Sequence, residues 1–146
     1  DHVIEVHLKT ESDYTSNTIK ETYPDGEDVE VMTFDALEKA WQSATLPSQR
    51  EHVTPYLKQH PEIFKLTSVT SAVDYGQHRW TLDNAEDYAL IQAIYKALYN
   101  KNHFFGMNDI LAFLEQQPQL GRINQHIRRN EGYIKSLQDD KENHRG

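Results

Sequence analysis

The chain has 146 residues, no cysteine, 37% hydrophobic residues and a formal net charge of −8. That is enough chain for one real core; it excludes disulfides and thiolate chemistry and argues against a nucleic-acid partner, whose phosphates call for a basic surface. No apolar run is long enough to span a membrane and no signal peptide is visible, so a cytoplasmic setting without a membrane partner is expected.

Residues 2–8 (HVIEVHL) fit either the end of a helix or a short strand. Asp13 to Asn17 reads as a short strand entering a loop, and Tyr23-Pro24-Asp25-Gly26 as a turn, with proline presetting φ and glycine tolerating φ > 0. Val29 to Phe34 then reads as a strand. Asp35 is expected to open a helix with Glu38 as capping-box partner, and Leu37, Ala40, Trp41 and Ala44 to face the core. Ser48 and Glu51 form a second S-x-x-E box, and Thr54-Pro55 marks a further helix start. Ile63 to Val69 and His78 to Leu82 are expected strands. Asn84 to about Asn100 is an expected helix striped by Tyr88, Ile91, Tyr95 and Leu98, and Asn108 is expected to cap another that Pro118 ends. Polar residues 141–146 read as a frayed tail. Strands alternating with helices place the chain in the α/β class.

Three constellations carry chemistry. Asp28 and Glu30 stand two apart on an expected strand, sharing one face opposite Val29 and Val31. They read either as a solvated face or as carboxylates that orient sugar hydroxyls or join a metal site. Arg79, Thr81 and Asp83 share a face of the second short strand. Asp83 stands where that strand gives way to a helix, the edge of an open α/β sheet at which ligands sit. It reads either as a metal or ligand carboxylate or as a helix-start charge stabilised by the dipole, and Asn84 with Asp87 supplies an alternative cap. Arg50, Glu51 and His52 fall in one turn; Glu51 has a capping duty, whereas Arg50 offers a planar fork for phosphate or carboxylate. No glycine-rich phosphate loop, zinc-spaced histidine pair or nucleophile elbow occurs.

Five ordered strings, DYTSN, TYPDGEDVEVMTFDALEKAW, REHVTPYL, RWTLDNAEDYALI and INQHIRRNEGYIKSL, resemble the cytidylyltransferases. The group most resembled is the spore-coat polysaccharide biosynthesis protein F type, related to the acylneuraminate and 3-deoxy-manno-octulosonate enzymes. The resemblance runs from Asp13 to Leu137. It implies a three-layer, Rossmann-like nucleotide-diphospho-sugar transferase fold and a homodimer. It also implies transfer of CMP from CTP to a sugar, with Mg²⁺ and release of pyrophosphate in surface polysaccharide synthesis. Asp83 matches the aspartate of the D-x-x-E-D pattern, which makes it the expected catalytic and metal-binding residue. Asp28, Glu30, Arg50, Glu51, His52 and Arg79 are carried over as the sugar side. Family members begin with a glycine- and arginine-containing loop around the triphosphate, absent from this chain, which opens on Asp1. Residues 1–140 are therefore expected to be the C-terminal, sugar-binding and dimerising half, inactive alone, with a non-catalytic sugar-binding or dimerisation module as the alternative.

Overall fold

Tyr14, Thr15 and Ser16 form a strand, β1, that is buried along its whole length although two of its residues are polar. The hydroxyls are satisfied locally. Thr15 Oγ1 lies 2.9 Å from His7 Nδ1, and Ser16 Oγ accepts from the Thr18 amide at 2.9 Å. On one side β1 pairs antiparallel with β2 (Glu30–Met32), and on the other parallel with β3 (Leu66–Ser68). The order β2-β1-β3 makes a small mixed sheet. This computed structural model describes residues 1–143, so residues 144–146 of the expected tail lie outside the described residues.

The chain forms two compact units. The first takes residues Asp1–Tyr23, Asp28–Asp74 and those from Asn130 on; the second takes Pro24–Glu27 and Tyr75–Arg129.

In the first unit the ambiguous N-terminal segment is a helix, α1 (His2–Thr10), ended by Glu11 in the left-handed region. Helix α2 (Phe34–Ser43) is capped two residues earlier than expected, by Thr33 and not Asp35: the Thr33 hydroxyl accepts from the Ala36 amide at 3.1 Å. Strand β2 accordingly stops at Met32 rather than at Phe34. The buried stripe of α2 is Ala36 and Ala40, packed with Tyr14, Leu57 and Phe64. Trp41, expected in the core, is exposed. Two alanines let the helix sit close to the sheet, and a face lined by small residues leaves no room there for an indole.

Helix α3 (Pro47–His52) corrects the expected Ser48–Glu51 box, since Ser48 already lies within the helix. Gln49 reaches back instead, and its Oε1 accepts from the Thr45 and Leu46 amides, each at 3.3 Å. Helix α4 (Pro55–Gln59) begins with proline after Thr54, as expected. A C-terminal helix, α7 (Glu131–Asn143), takes in Lys141 to Asn143, part of the expected frayed tail. It is anchored to α3 where the Ser48 amide donates to Asp140 Oδ1 at 3.1 Å.

In the second unit, α5 (Ala85–Leu98) and α6 (Met107–Gln116) enclose a core of Trp80, Leu90, Ile94, Ile110 and Leu114. The buried line of α5 is Leu90 and Ile94, rotated from the expected stripe, so that Tyr88 and Tyr95 face outward. Asp109, not Asn108, closes the start of α6 by accepting from the Gly106 amide at 2.9 Å. The expected strand His78–Leu82 contracts to one bridge between Arg79 and Asp25. Among the described residues its bridge partner is the Pro24–Glu27 turn, in which Gly26 takes φ 101°. A Cβ on Gly26 would meet the Trp80 carbonyl oxygen at 2.7 Å, so glycine is required both for its φ and for the close approach.

Candidate functional site

The Arg79 guanidinium is the hub of the second unit. Its Nε and Nη2 donate to the two oxygens of Asp87 at 3.0 and 2.9 Å, a bidentate fork. Nη1 donates to Asp25 Oδ2 at 3.0 Å, and Nη2 also reaches Asp83 Oδ2 at 2.9 Å. Arg79, Asp25 and Asp87 are buried, whereas the Asp83 side chain is 70% exposed. A second arginine, Arg129, brings Nε to 3.5 Å from Asp25 Oδ1.

Asp87 does far more than pair a charge. Its Oδ2 accepts from the amides of Asp83 and Asn84 and from Thr81 Oγ1, each at 3.1 Å, which closes the start of α5. Asn124 Nδ2 donates to its Oδ1 at 2.7 Å and to the Arg79 carbonyl at 2.9 Å. Burial works against ionisation of Asp87, but Arg79, Asn124 and the Asp83 amide outweigh it and hold its carboxyl well below the usual carboxylate range. The hydrogen bonds from Arg79 to Asp87 in turn push the guanidinium upward.

Asp87 closes the end, as Asn84 with Asp87 allowed, and Asp83 is left pointing to solvent on a short tether to Arg79. Arg79, expected on the sugar side, has its fork committed to the carboxylates of Asp25 and Asp87. Beside it lies an open cleft of about 340 Å³ lined by Gln77, His78, Gln125, Ile127 and Arg129 among others. Burial pushes the His78 imidazole down, favouring its neutral form.

The described residues contain no group of three histidine, aspartate or glutamate side chains able to hold a metal. One exposed carboxylate nonetheless fits Mg²⁺, which keeps several waters and commonly binds through one or two carboxylates plus substrate phosphates. Of the carboxylates around Arg79, Asp83 alone is exposed, so it is the one that could take such a position.

The second constellation is in the first unit, around Glu30. Its Oε1 accepts from the Tyr14 hydroxyl in a short hydrogen bond, from Thr54 Oγ1 at 3.0 Å and from Lys58 Nζ at 2.9 Å. Burial pushes the Glu30 carboxyl up, but the bonds from Tyr14 and Lys58 prevail and hold it below its ordinary value. Burial likewise lowers Lys58, and the bond to Glu30 overcomes it, so that the ammonium is held above its ordinary range. Lys58 Nζ also donates to Thr18 Oγ1 at 3.1 Å. Asp28 precedes β2 rather than lying on it, and Val29, expected to be buried opposite, is exposed. The strand starts at Glu30, so the expected shared carboxylate face is not formed.

Arg50, Glu51 and His52 diverge. Arg50 Nη1 donates to the Trp41 carbonyl at 2.6 Å, and its guanidinium lies 5.9 Å from the Trp41 ring centroid, so it is held against α2 rather than offered to a phosphate. Glu51 Oε2 accepts from Ser136 Oγ at 2.9 Å, and His52 Nε2 lies 3.0 Å from the same hydroxyl. Both tie α3 to α7. Sequence reasoning missed Lys58 and Tyr14 beside Glu30, and Asp25 and Asn124 beside Arg79. Asn124 stood inside the fifth quoted string without a role, and Asp25 stood in a turn where its chemistry went unread.

No family model matches the chain. By structure it is similar to a cytidylyltransferase from Leptospira borgpetersenii serovar Hardjo-bovis, with a TM-score of 0.77 and 25% identity over 84% of this chain and 51% of that one. By sequence it is similar to an uncharacterized protein of Methanocaldococcus jannaschii, 37% identical over 136 residues, which cover 88% of this chain and 51% of the relative. The chain thus spans about half the length of each protein it matches. Its mixed α/β architecture resembles part of a cytidylyltransferase, and no helix among the described residues is long and apolar enough to cross a membrane.

Proposed function

We propose that this chain forms the sugar-side portion of a cytidylyltransferase that transfers CMP from CTP to a sugar and releases pyrophosphate. The structural match to the Leptospira cytidylyltransferase carries this reading. Asp83 supports it: a mostly exposed carboxylate, steadied by Arg79 at 2.9 Å, is free to act toward a ligand while Asp87 does the structural work. Asp83 holds one ligand position for Mg²⁺, which when bound neutralises phosphate charge. On the sugar side Glu30 and Lys58 present a half-exposed acceptor–donor pair, the chemistry that orients hydroxyls, and they replace Arg79 and Arg50 in that role. The protein acts as a homodimer in this proposal.

Phosphoryl-type transfer depends on positioning and on charge neutralisation around the triphosphate. The chain holds no glycine-rich loop for that task, so it is expected to be inactive by itself. The test is pyrophosphate release with CTP, Mg²⁺ and a panel of acidic and neutral sugars. It is run on this chain and on a fusion carrying the unmatched half of the Leptospira enzyme. Turnover only in the fusion is expected, with Asp83→Asn lowering it by at least about a hundredfold, the scale of one lost preorganised electrostatic partner. Turnover by the chain alone would overturn the half-site reading. A second reading, a sugar-binding or dimerisation module without catalysis, is favoured by the commitment of Arg79 and Arg50 to internal contacts. Sugar binding without turnover in either protein would establish it.

A further inference from the structure

Helices α3 and α4 are joined by two residues, Val53 and Thr54. Val53 stands at φ 66°, ψ −57°, and the Thr54 amide donates back to the His52 carbonyl at 2.7 Å. That is the γ-turn of positive φ, the rare and strained form, and a β-branched residue is poorly suited to it. Val53 is 50% exposed, so burial of its side chain does not hold it there. The anchors on either side do. His52 Nε2 lies 3.0 Å from Ser136 Oγ, and the buried Thr54 donates its hydroxyl to Glu30 Oε1 at 3.0 Å. Strain of this kind persists only where the surroundings over-determine the backbone, and it gathers at ligand sites.

The contact that loads the turn lies on the Glu30 carboxylate. The Tyr14 hydroxyl, the Thr54 hydroxyl and the Lys58 ammonium all donate to the same oxygen, Oε1. A carboxylate oxygen offers about two lone pairs, so three donors oversubscribe it. Among the described residues no donor reaches Oε2, and the Glu30 side chain is 30% exposed.

We propose that Thr54 occupies a seat on Glu30 that a substrate hydroxyl takes over, and that Val53 is the positioning residue that lets it give way. The substrate then presents a vicinal diol, one hydroxyl donating to Oε2 and its neighbour to Oε1 in place of Thr54. The exchange leaves the number of hydrogen bonds on Oε1 unchanged. Thr54 stands at φ −90°, ψ −11°, whereas a residue ahead of proline favours extended backbone, as does a valine. Both residues therefore relax in the same direction, and the relief adds to binding. Ionised oxygens only accept, so the acidic group of an acidic sugar points elsewhere. This rests on the reading of Glu30 and Lys58 as the sugar side.

The test begins in this chain, with denaturant unfolding. Val53→Gly removes the Cβ that makes positive φ costly, so it is expected to be more stable than Val53→Ala, the reverse of the order at an ordinary exposed position. Thr54→Val should be better tolerated in the unmodified chain, where it lets Val53 relax, than beside Val53→Gly. A coupling of at least about fivefold in the folding equilibrium is expected, and additive effects would overturn the proposal. In the fusion with the unmatched half of the Leptospira enzyme, Val53→Gly should raise KM for the sugar about tenfold with little change in kcat, because strain no longer contributes to binding. Thr54→Val should lower KM, since the seat is already open. A KM that neither variant moves would overturn the seat and leave the transfer reading standing. If the fusion does not turn over, mannose, glucose and glucuronate are titrated into this chain and followed by the amide signals of Val53 and Thr54. Saturable shifts that Glu30→Gln abolishes would keep the seat and remove the transfer reading, and silence with all three sugars would overturn the seat.

Discussion

Arg79 in the second unit meets three carboxylates, whereas Lys58 in the first meets one carboxylate and the Thr18 hydroxyl. Burial separates them further. Arg79 is 8% exposed and Asp87 is fully enclosed, while about a third of each of Lys58 and Glu30 remains in contact with water. An arginine cannot shed its proton, so its burial demands permanent counter-charge, and Asp25 and Asp87 supply it from the unit's two separate segments. A lysine and a glutamate at a half-open site keep lone pairs and protons available to a ligand. Surplus negative charge at a buried cation, in the form of the exposed Asp83, and a balanced pair at an accessible site are therefore different kinds of acidic cluster.

The largest effect that tests this contrast is expected from Asp87→Ala. Removing one partner of a buried, hydrogen-bonded ion pair strands Arg79 and opens the start of α5, at a cost of about 3–5 kcal/mol. Denaturant unfolding measures it. A loss below about 1 kcal/mol, the range of an exposed pair, would mean that water reaches Arg79.

Next comes Tyr14→Phe, which removes the hydroxyl that donates to the Glu30 carboxylate. A hydrogen bond to a charged acceptor contributes about 1.5–3 kcal/mol, so a loss near 2 kcal/mol is expected from the same measurement. An unchanged midpoint would show that water replaces the phenol without cost and that Glu30 is open to ligands.

The two clusters also part at the extremes of pH. Asp87 and Glu30 are both held below their ordinary values, so the stability they contribute is present above the unfolded carboxyl values of about 4 and is lost as pH falls below them. Tyr14 and Lys58 are held above theirs, so their contribution is intact below about pH 10 and is lost as pH rises further. The expected result is acid sensitivity that Asp87→Asn flattens and alkaline sensitivity that Tyr14→Phe flattens, read as melting temperature against pH. Alkaline sensitivity unaffected by Tyr14→Phe would remove the asymmetry.

The smallest effect is expected from Asp83→Asn in this chain. Its side chain is mostly exposed, so the loss of one ion pair should change stability by less than about 1 kcal/mol. A drop as large as that of Asp87→Ala would make Asp83 part of the structural hub and leave it no ligand to hold.

Sequence reasoning recovered what is local. The Asn84–Asp87 start of α5, the Pro55 start of α4 and the stop before Pro118 are each set by residues within a turn of one another. It erred where distant residues decide. Arg79 looked available because Asp25, which takes one arm of its fork, stands 54 residues earlier. Asp28 and Glu30 looked paired because alternation was extended beyond the point where β2 begins. Trp41 and the tyrosines of α5 matched a helical core pattern that the described residues do not bury, since periodicity marks an apolar face without saying what covers it. Helix α7 went unread because its apolar residues are few and its anchors to α3 are polar.

The excursion of Pro24–Glu27 into the second unit has a kinetic consequence. The Asp25 amide donates to the His78 carbonyl at 2.9 Å and the Trp80 amide to the Asp25 carbonyl at 2.7 Å, so this unit cannot complete itself from contiguous chain. Closing a loop of that span costs entropy before the contact returns anything. Until it closes, the Arg79 charge lacks one of its buried counter-ions. Refolding of the second unit should therefore be limited by arrival of the Gly26 turn, and a fragment beginning at Tyr75 should collapse without locking, however well its helices form.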